Sequence, residues 1–141
     1  MVTDQRGNVR GREALWSLRV VAAVMLVVMA GVHLWLWFDG FSDIPVIGPG
    51  FLADAVGGFV LAVVLMVPGT RWLTLVAAVA GLFTLGSLIA LLLSLTVGLF
   101  GVQEQWGSVS VLACLVSEAV ALVALIVIAR RSAAAALAPA R

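Results

Sequence analysis

Apolar positions in this chain come in long unbroken runs, not in the short alternation of a half-buried strand or the one-sided stripe of a surface helix. Four runs stand out, at residues 20–38, 51–67, 72 to about 100, and 109–129. A helix needs about 20 consecutive apolar residues to cross the hydrocarbon of a bilayer, so each run predicts a transmembrane helix. The third is too long for a perpendicular span at about 1.5 Å per residue. Either it tilts, or its end around residues 98–101 leaves the membrane.

The polar punctuation between the runs is brief. DGFSDIPVIGPG (39–50) holds two prolines, three glycines and two aspartates, a density expected to break any helix. PGTR (68–71) reads as a short turn and GVQEQWGS (101–108) as a loop, while Arg130 and Arg131 end the fourth run. The alanine-rich SAAAALAPAR that follows is expected to be a frayed tail. The expected fold is all-α: one membrane domain over residues 1–141 with spans at about 18–38, 51–67, 72–98 and 109–129, and tails at 1–17 and 130–141. A cleaved signal peptide would have a shorter apolar core of about 7–15 residues and a small-residue cleavage site. The first run is longer and is expected to stay as a span.

Charge placement sets the orientation. Arg6, Arg10, Arg12 and Arg19 precede the first span, Arg71 separates the second from the third, and Arg130, Arg131 and Arg141 follow the fourth. Four spans put these segments on one side. The opposite loops carry Asp39, Asp43 and Glu104 and no basic residue. Basic residues in short loops stay in the cytoplasm, so both termini are expected there, in a bacterial inner membrane. Trp16 and Trp72 fall at the expected inner boundary, and Trp35, Trp37 and Trp106 at the outer one. Indole rings favour such interfaces.

Composition agrees: 64% of the 141 residues are hydrophobic and 11% charged, against about 25% charged in an average soluble domain. The loops are too short for a soluble catalytic domain, and no basic patch suits nucleic acid. The expected partners are the lipid bilayer, further copies of the chain or other membrane subunits. Within lipid, small residues mark helix contacts. Gly86, Ala90, Ser94 and Gly98 form a four-residue ridge on the third span, and Ala113, Ser117 and Ala121 one on the fourth. These ridges are expected to face each other or a neighbouring subunit.

Three polar residues inside the runs require explanation. His33 lies near the outer end of the first span, as an interfacial imidazole or as a metal, haem or proton-handling group. Asp54 lies three residues into the expected second span, where the helix N-terminus favours a carboxylate without any function. Glu118 is nine residues into the fourth span, roughly 14 Å deep. An acidic group there costs about 2.5–3.5 kcal/mol on insertion scales for Asp, and hydrocarbon favours its neutral form. Hydrogen bonding to Thr84, Ser87 or Ser94 accounts for it structurally; a proton or cation site accounts for it functionally. His33, Asp54 and Glu118 are therefore the candidate proton or ligand site.

Cys114, the single cysteine, reads as an inert core thiol. One histidine falls short of the three or four ligands zinc normally takes, and a bis-histidine haem would need a second chain. No metal or cofactor is therefore assigned from the sequence, and no nucleotide loop, nucleophile elbow or metalloprotease motif is present, so no catalytic residue is named.

The segments GVHLWLWFDGFSDIPVIGPGFLADAVGGFVLAVVLMVP and TLGSLIALLLSLTVGLFGVQEQW resemble a group of small four-helix membrane proteins common in actinobacteria, over most of the chain from about Ala30 to Glu118. The Ala-, Val-, Leu-, Gly- and Arg-rich composition suits such a high-GC genome. That group carries an asparagine at the position of Asp54. The layout is also loosely similar to the DoxX-like four-helix proteins, which accompany redox and sulfur metabolism. The resemblance implies fold and lineage and no reaction. From the residues, a non-enzymatic accessory, assembly or scaffold subunit is expected. The alternatives are a small proton-coupled transporter using Glu118, or a redox subunit holding quinone or haem near His33.

Overall fold

In the computed structural model, residues 2–67 and 72–137 are described, with the side chains of residues 2–10 excepted. Arg71, Arg141 and the Pro68-Gly69 turn lie outside the described residues, as do the side chains of Arg6 and Arg10. Four helices carry the fold: α1 (Val2–Leu36), α2 (Ile47–Met66), α3 (Leu73–Thr96) and α4 (Val109–Leu137). Each is long and apolar enough to cross a membrane, and together they suggest a multi-pass membrane protein. α1 packs on α2 and α4, α3 packs on α4, and α2 meets α3 more lightly. The two helical hairpins α1–α2 and α3–α4 are thus joined chiefly through α1 and α4. The α1–α2 and α3–α4 connections share one end (the loop end); the opposite end (the terminal end) holds the start of α1 and the finish of α4.

The glycine- and proline-rich segment interrupts the helices for less of its length than its composition suggests. A wide turn over Trp37–Phe41 continues α1, broken at Asp39 (φ −84°, ψ 20°) and Gly40 (φ 110°). α2 then starts at Ile47 with Pro49 inside its first turn, where a missing N–H leaves no helical bond unmade. At the far side of the bundle, α4 does not stop at Arg130-Arg131 but runs on to Leu137. Alanine has the highest helix propensity of any residue, and the Thr74 hydroxyl donates to Ser132 Oγ at 3.0 Å, tying this stretch to the start of α3.

The long third apolar run is not helical to its end. α3 ends at Thr96, and Gly98 turns left-handed at φ 81° while its N–H reaches back to the Leu93 carbonyl at 3.0 Å. Leu99 and Val102 then exchange hydrogen bonds of 2.8 and 2.9 Å around Phe100 (φ 49°) and Gly101 (φ 83°). Two successive positive φ values are the mark of a type I′ turn. The loop folds back over the bundle, with the Ser94 hydroxyl donating to the Val102 carbonyl at 3.2 Å and the Glu104 N–H to the Ser94 carbonyl at 3.2 Å.

The terminal half of the bundle is a dry apolar core of Ala22, Leu26, Met29, Ala62, Leu65, Ala77, Ala80, Ala121, Leu125 and Ile128, all buried. Arg19 closes it. Its guanidinium donates to the carbonyls of Leu65 (2.9 Å) and Val67 (2.6 Å), at the end of α2, and lies 5.2 Å from the Trp16 ring. A cation that caps the last carbonyls of a helix also opposes its negative dipole end. The outer surface is largely valine and leucine, including Val63, Leu82, Val116 and Val123, which suits hydrocarbon and not water.

Within the chain, the expected small-residue ridge on α3 is out of phase. Gly86 faces outward, and a Cβ built there meets nothing within 4 Å. Ala90 is half-buried and Gly98 lies beyond the helix. The inward face is Ala77, Ala80, Thr84, Ser87 and Ser94. On α4, Ser117 and Ala121 are fully buried and Ala113 is half-buried. A close glycine contact joins α1 and α2: a Cβ on Gly58 would lie 2.9 Å from Ala30 Cβ and 3.2 Å from the Leu26 carbonyl.

Candidate functional site

All four helices deliver a polar residue to one level of the loop-end half. Glu118 is the tenth residue of α4 and Ser87 stands nine residues before the end of α3, so each sits roughly 14 Å from its helix's loop end. Because α2 begins at Ile47, Asp54 lies about two turns inside it. The field of a helix N-terminus fades within the first turn, so the local explanation expected for Asp54 does not apply. His33 is buried in the last turn of α1.

These residues meet. The Ser87 hydroxyl donates to Glu118 Oε1 at 2.7 Å and lies 3.4 Å from Asp54 Oδ2. A serine has one proton to give, and the shorter contact takes it. Asp54 Oδ2 is 3.6 Å from His33 Nε2. His33 Nδ1 lies 3.0 Å from the Met29 carbonyl oxygen. A carbonyl only accepts, so Nδ1 carries the hydrogen, and in the neutral ring Nε2 presents its lone pair to the cluster. Phe51 packs edge-on against His33 with centroids 5.1 Å apart and stacks on Phe41 at the same distance, fixing the ring.

Cys114 joins the set. A ring nitrogen of His33, Sγ of Cys114 and a carboxylate oxygen of Glu118 all lie within 4.8 Å of one another, and all three residues are buried. Cys114 is a buried free thiol, as a core reading requires, and this placement sets it beside His33 and Glu118. A signal was available: Cys114 and Glu118 are four residues apart, hence on one helix face, and a face holding one buried acid is a polar face. Ser117 does not take part; its hydroxyl turns back to the Cys114 carbonyl at 3.1 Å. Thr84 likewise donates to the Ala80 carbonyl at 2.9 Å.

Glu118 has no exposed surface, and its Oε2 has no hydrogen-bond partner. Such an atom costs about 1–3 kcal/mol when left unmet. Directly toward the loop end, a cavity of about 70 Å³ is lined by His33, Asp54, Ser87, Ser94, Glu104 and Cys114, with Phe51, Leu99 and Val102 among its apolar walls. On this measure about 10–15 Å³ is enough for one water, so the space can hold several. The folded-back loop roofs it, and Glu104 stands at that roof. Toward the terminal end lie Leu26, Met29, Ala80, Ala121 and Leu125, with Thr84, whose hydroxyl is bonded to the Ala80 carbonyl. The arrangement is a small, mostly apolar pocket with polar groups gathered on its walls, near the loop end.

No family model matches the chain, and neither the curated proteins nor the solved structures hold a significant match.

Proposed function

We propose that this protein is a multi-pass protein of a bacterial inner membrane, with both termini cytoplasmic, that takes a small cation from the outer side into the pocket above Glu118. One observation carries the reading: His33, Asp54, Ser87, Cys114 and Glu118 come from four helices yet converge beside a cavity, and one acidic oxygen there lacks a partner. A bundle that only needed to pack would gain from apolar side chains at these positions. Intramembrane ionisable groups mark ion and proton paths more often than structure. The protein then works as a carrier and not as a catalyst, and the apolar core below Glu118 is the barrier that a second, inward-open state must part. The orientation rests on the arginines. Cysteines placed at Ser42 and Ser108 are expected to react with impermeant reagents on intact cells and one at Ser132 is not; the reverse pattern would overturn it.

The cation reading itself is tested on purified protein in mild detergent. Added Na⁺, Mg²⁺ or Zn²⁺, or acidification, is expected to raise the melting temperature of the parent protein in at least one case. Glu118→Gln is expected to keep the helical circular dichroism and lose that response. Identical melting of the two proteins under all these conditions would contradict it.

A second reading is the accessory, assembly or scaffold subunit expected from the sequence. It is supported by two apolar grooves along α4, one shared with α1 (Leu18, Val21, Val120, Val123) and one with α3 (Ala77, Gly81, Leu122, Leu125), which another copy or subunit would cover. A strictly monomeric chain that co-purifies with nothing would remove it. A redox subunit has less support, since a cavity of about 70 Å³ is too small for a haem macrocycle. The resemblance to the actinobacterial four-helix group and to the DoxX-like layout adds lineage to this proposal and no activity.

A further inference from the structure

We propose that His33, Cys114 and Glu118, with Asp54 at the fourth position, bind one dehydrated divalent metal ion of borderline softness, of the Zn²⁺ class. This rests on the cation reading above and names the ion.

The donor set points there first. An imidazole nitrogen, a thiolate sulfur and carboxylate oxygens are the ligands zinc takes in tetrahedral sites, at about 2.0–2.3 Å from the metal. Tetrahedral donors at those lengths stand roughly 3.3–3.8 Å apart. The three principal donors already lie within 4.8 Å of one another, and Asp54 Oδ2 is 3.6 Å from His33 Nε2. Closing His33, Cys114 and Glu118 around a metal therefore needs side-chain shifts of about an ångström, with Asp54 approaching from the His33 side. Histidine ligands almost always give their other N–H to a carbonyl or carboxylate, which fixes the coordinating tautomer. The Nδ1 contact with the Met29 carbonyl at 3.0 Å is that bond. The buried, unpartnered Oε2 of Glu118 supplies an independent sign that something is bound beside it.

Charge and ligand preference narrow the choice. Neutral imidazole, one thiolate and two carboxylates sum to −3, so a divalent ion brings the buried centre to −1 where a monovalent ion would leave −2. Binding breaks the Cys114 S–H bond and forms the metal–sulfur bond, and that proton, with any held on the Glu118 or Asp54 carboxyl, leaves to water in the cavity. Mg²⁺ gives up its waters reluctantly and Ca²⁺ takes six to eight oxygen ligands, so both are excluded in favour of an ion that accepts sulfur and nitrogen.

Co²⁺ is the probe, added to the full-length protein purified through a tag without histidine. The expected result is intense visible d–d absorption of tetrahedral Co²⁺ together with a sulfur-to-cobalt charge-transfer band, saturating at about one ion per chain. Zn²⁺ is expected to bleach both bands, and Mg²⁺ and Ca²⁺ to leave them. Cys114→Ser is expected to remove the charge-transfer band. His33→Gln and Glu118→Gln are expected to weaken Co²⁺ binding by at least about tenfold, with helical circular dichroism retained as the check on folding. Absence of tetrahedral bands in the parent protein, or bands unchanged in both Cys114→Ser and His33→Gln, would overturn the assignment. Absent bands alongside a Na⁺ or acid response that Glu118→Gln abolishes would overturn the metal and leave the cation pocket standing.

Discussion

Glu118→Leu is expected to leave the bundle as stable as the parent protein, or slightly more stable, while abolishing cation-dependent stabilisation. From the sequence alone the opposite is expected, because a leucine orphans the serine or threonine that the acid contacts, at about 1–3 kcal/mol. The geometry reverses the balance. The substitution removes an Oε2 that has no partner, a gain of about 1–3 kcal/mol. It also breaks the 2.7 Å bond from Ser87, worth about 0.5–1.5 kcal/mol net. Ser87 has Asp54 Oδ2 at 3.4 Å as a second acceptor, so a small rotation restores its bond. Buried ionisable groups replaced by apolar ones of similar volume often leave a protein equally or more stable. A group kept against stability is one kept for binding. Detergent unfolding of parent and variant, with and without Zn²⁺, measures both halves. A loss above about 2 kcal/mol without added cation would make Glu118 a structural keystone instead.

Gly58→Leu is expected to be far more damaging than Gly86→Leu. A Cβ at Gly58 would press on Ala30 Cβ at 2.9 Å, Met29 Cε at 3.0 Å and the Leu26 carbonyl at 3.2 Å. The methionine end can swing away, but the carbonyl and Ala30 belong to the α1 backbone and its first side-chain atom, so α1 and α2 must separate. Overpacking of this kind costs about 1–3 kcal/mol, occasionally more. The loss reaches the pocket, because the same turn of α1 supplies the Met29 carbonyl that orients His33. At Gly86 the added atoms meet nothing within 4 Å, and leucine is a better helix former than glycine by about 0.8–1.0 kcal/mol. Equal losses at the two positions in monomeric protein would mean that the α3 face opens onto a contact within the bundle.

That contrast shows what the sequence made legible. Four helices could be read from the lengths of the apolar runs, and the end of α3 from Gly98 and Gly101. Helix phase could not be read from apolarity, since α2 and α3 are apolar on every side and carry no stripe. Residue size alone points to a ridge through Gly86, whereas the inward face of α3 is marked by its hydroxyls at Thr84, Ser87 and Ser94, of which only Ser94 lies on that ridge, and which lipid does not satisfy. The candidate site was legible as its separate members His33, Asp54 and Glu118. Their convergence depends on where α2 begins and how far it is rotated, and the start at Ile47 was hidden by Pro49, a residue that interrupts a helix interior but is at ease in a first turn.

Convergence is the claim on which the pocket stands, and a double-mutant cycle measures it most directly. Asp54→Ala, Glu118→Ala and the double variant are unfolded in detergent, beside a control cycle of Thr74→Ala with Glu118→Ala. Thr74 bonds Ser132 at the terminal end, remote from the pocket. Asp54 and Glu118 share Ser87, so their effects are expected to be non-additive by about 0.5–3 kcal/mol, with the control additive within about 0.3–0.5 kcal/mol. Additivity of Asp54 and Glu118 to the same tolerance would mean that the two carboxylates do not share a pocket.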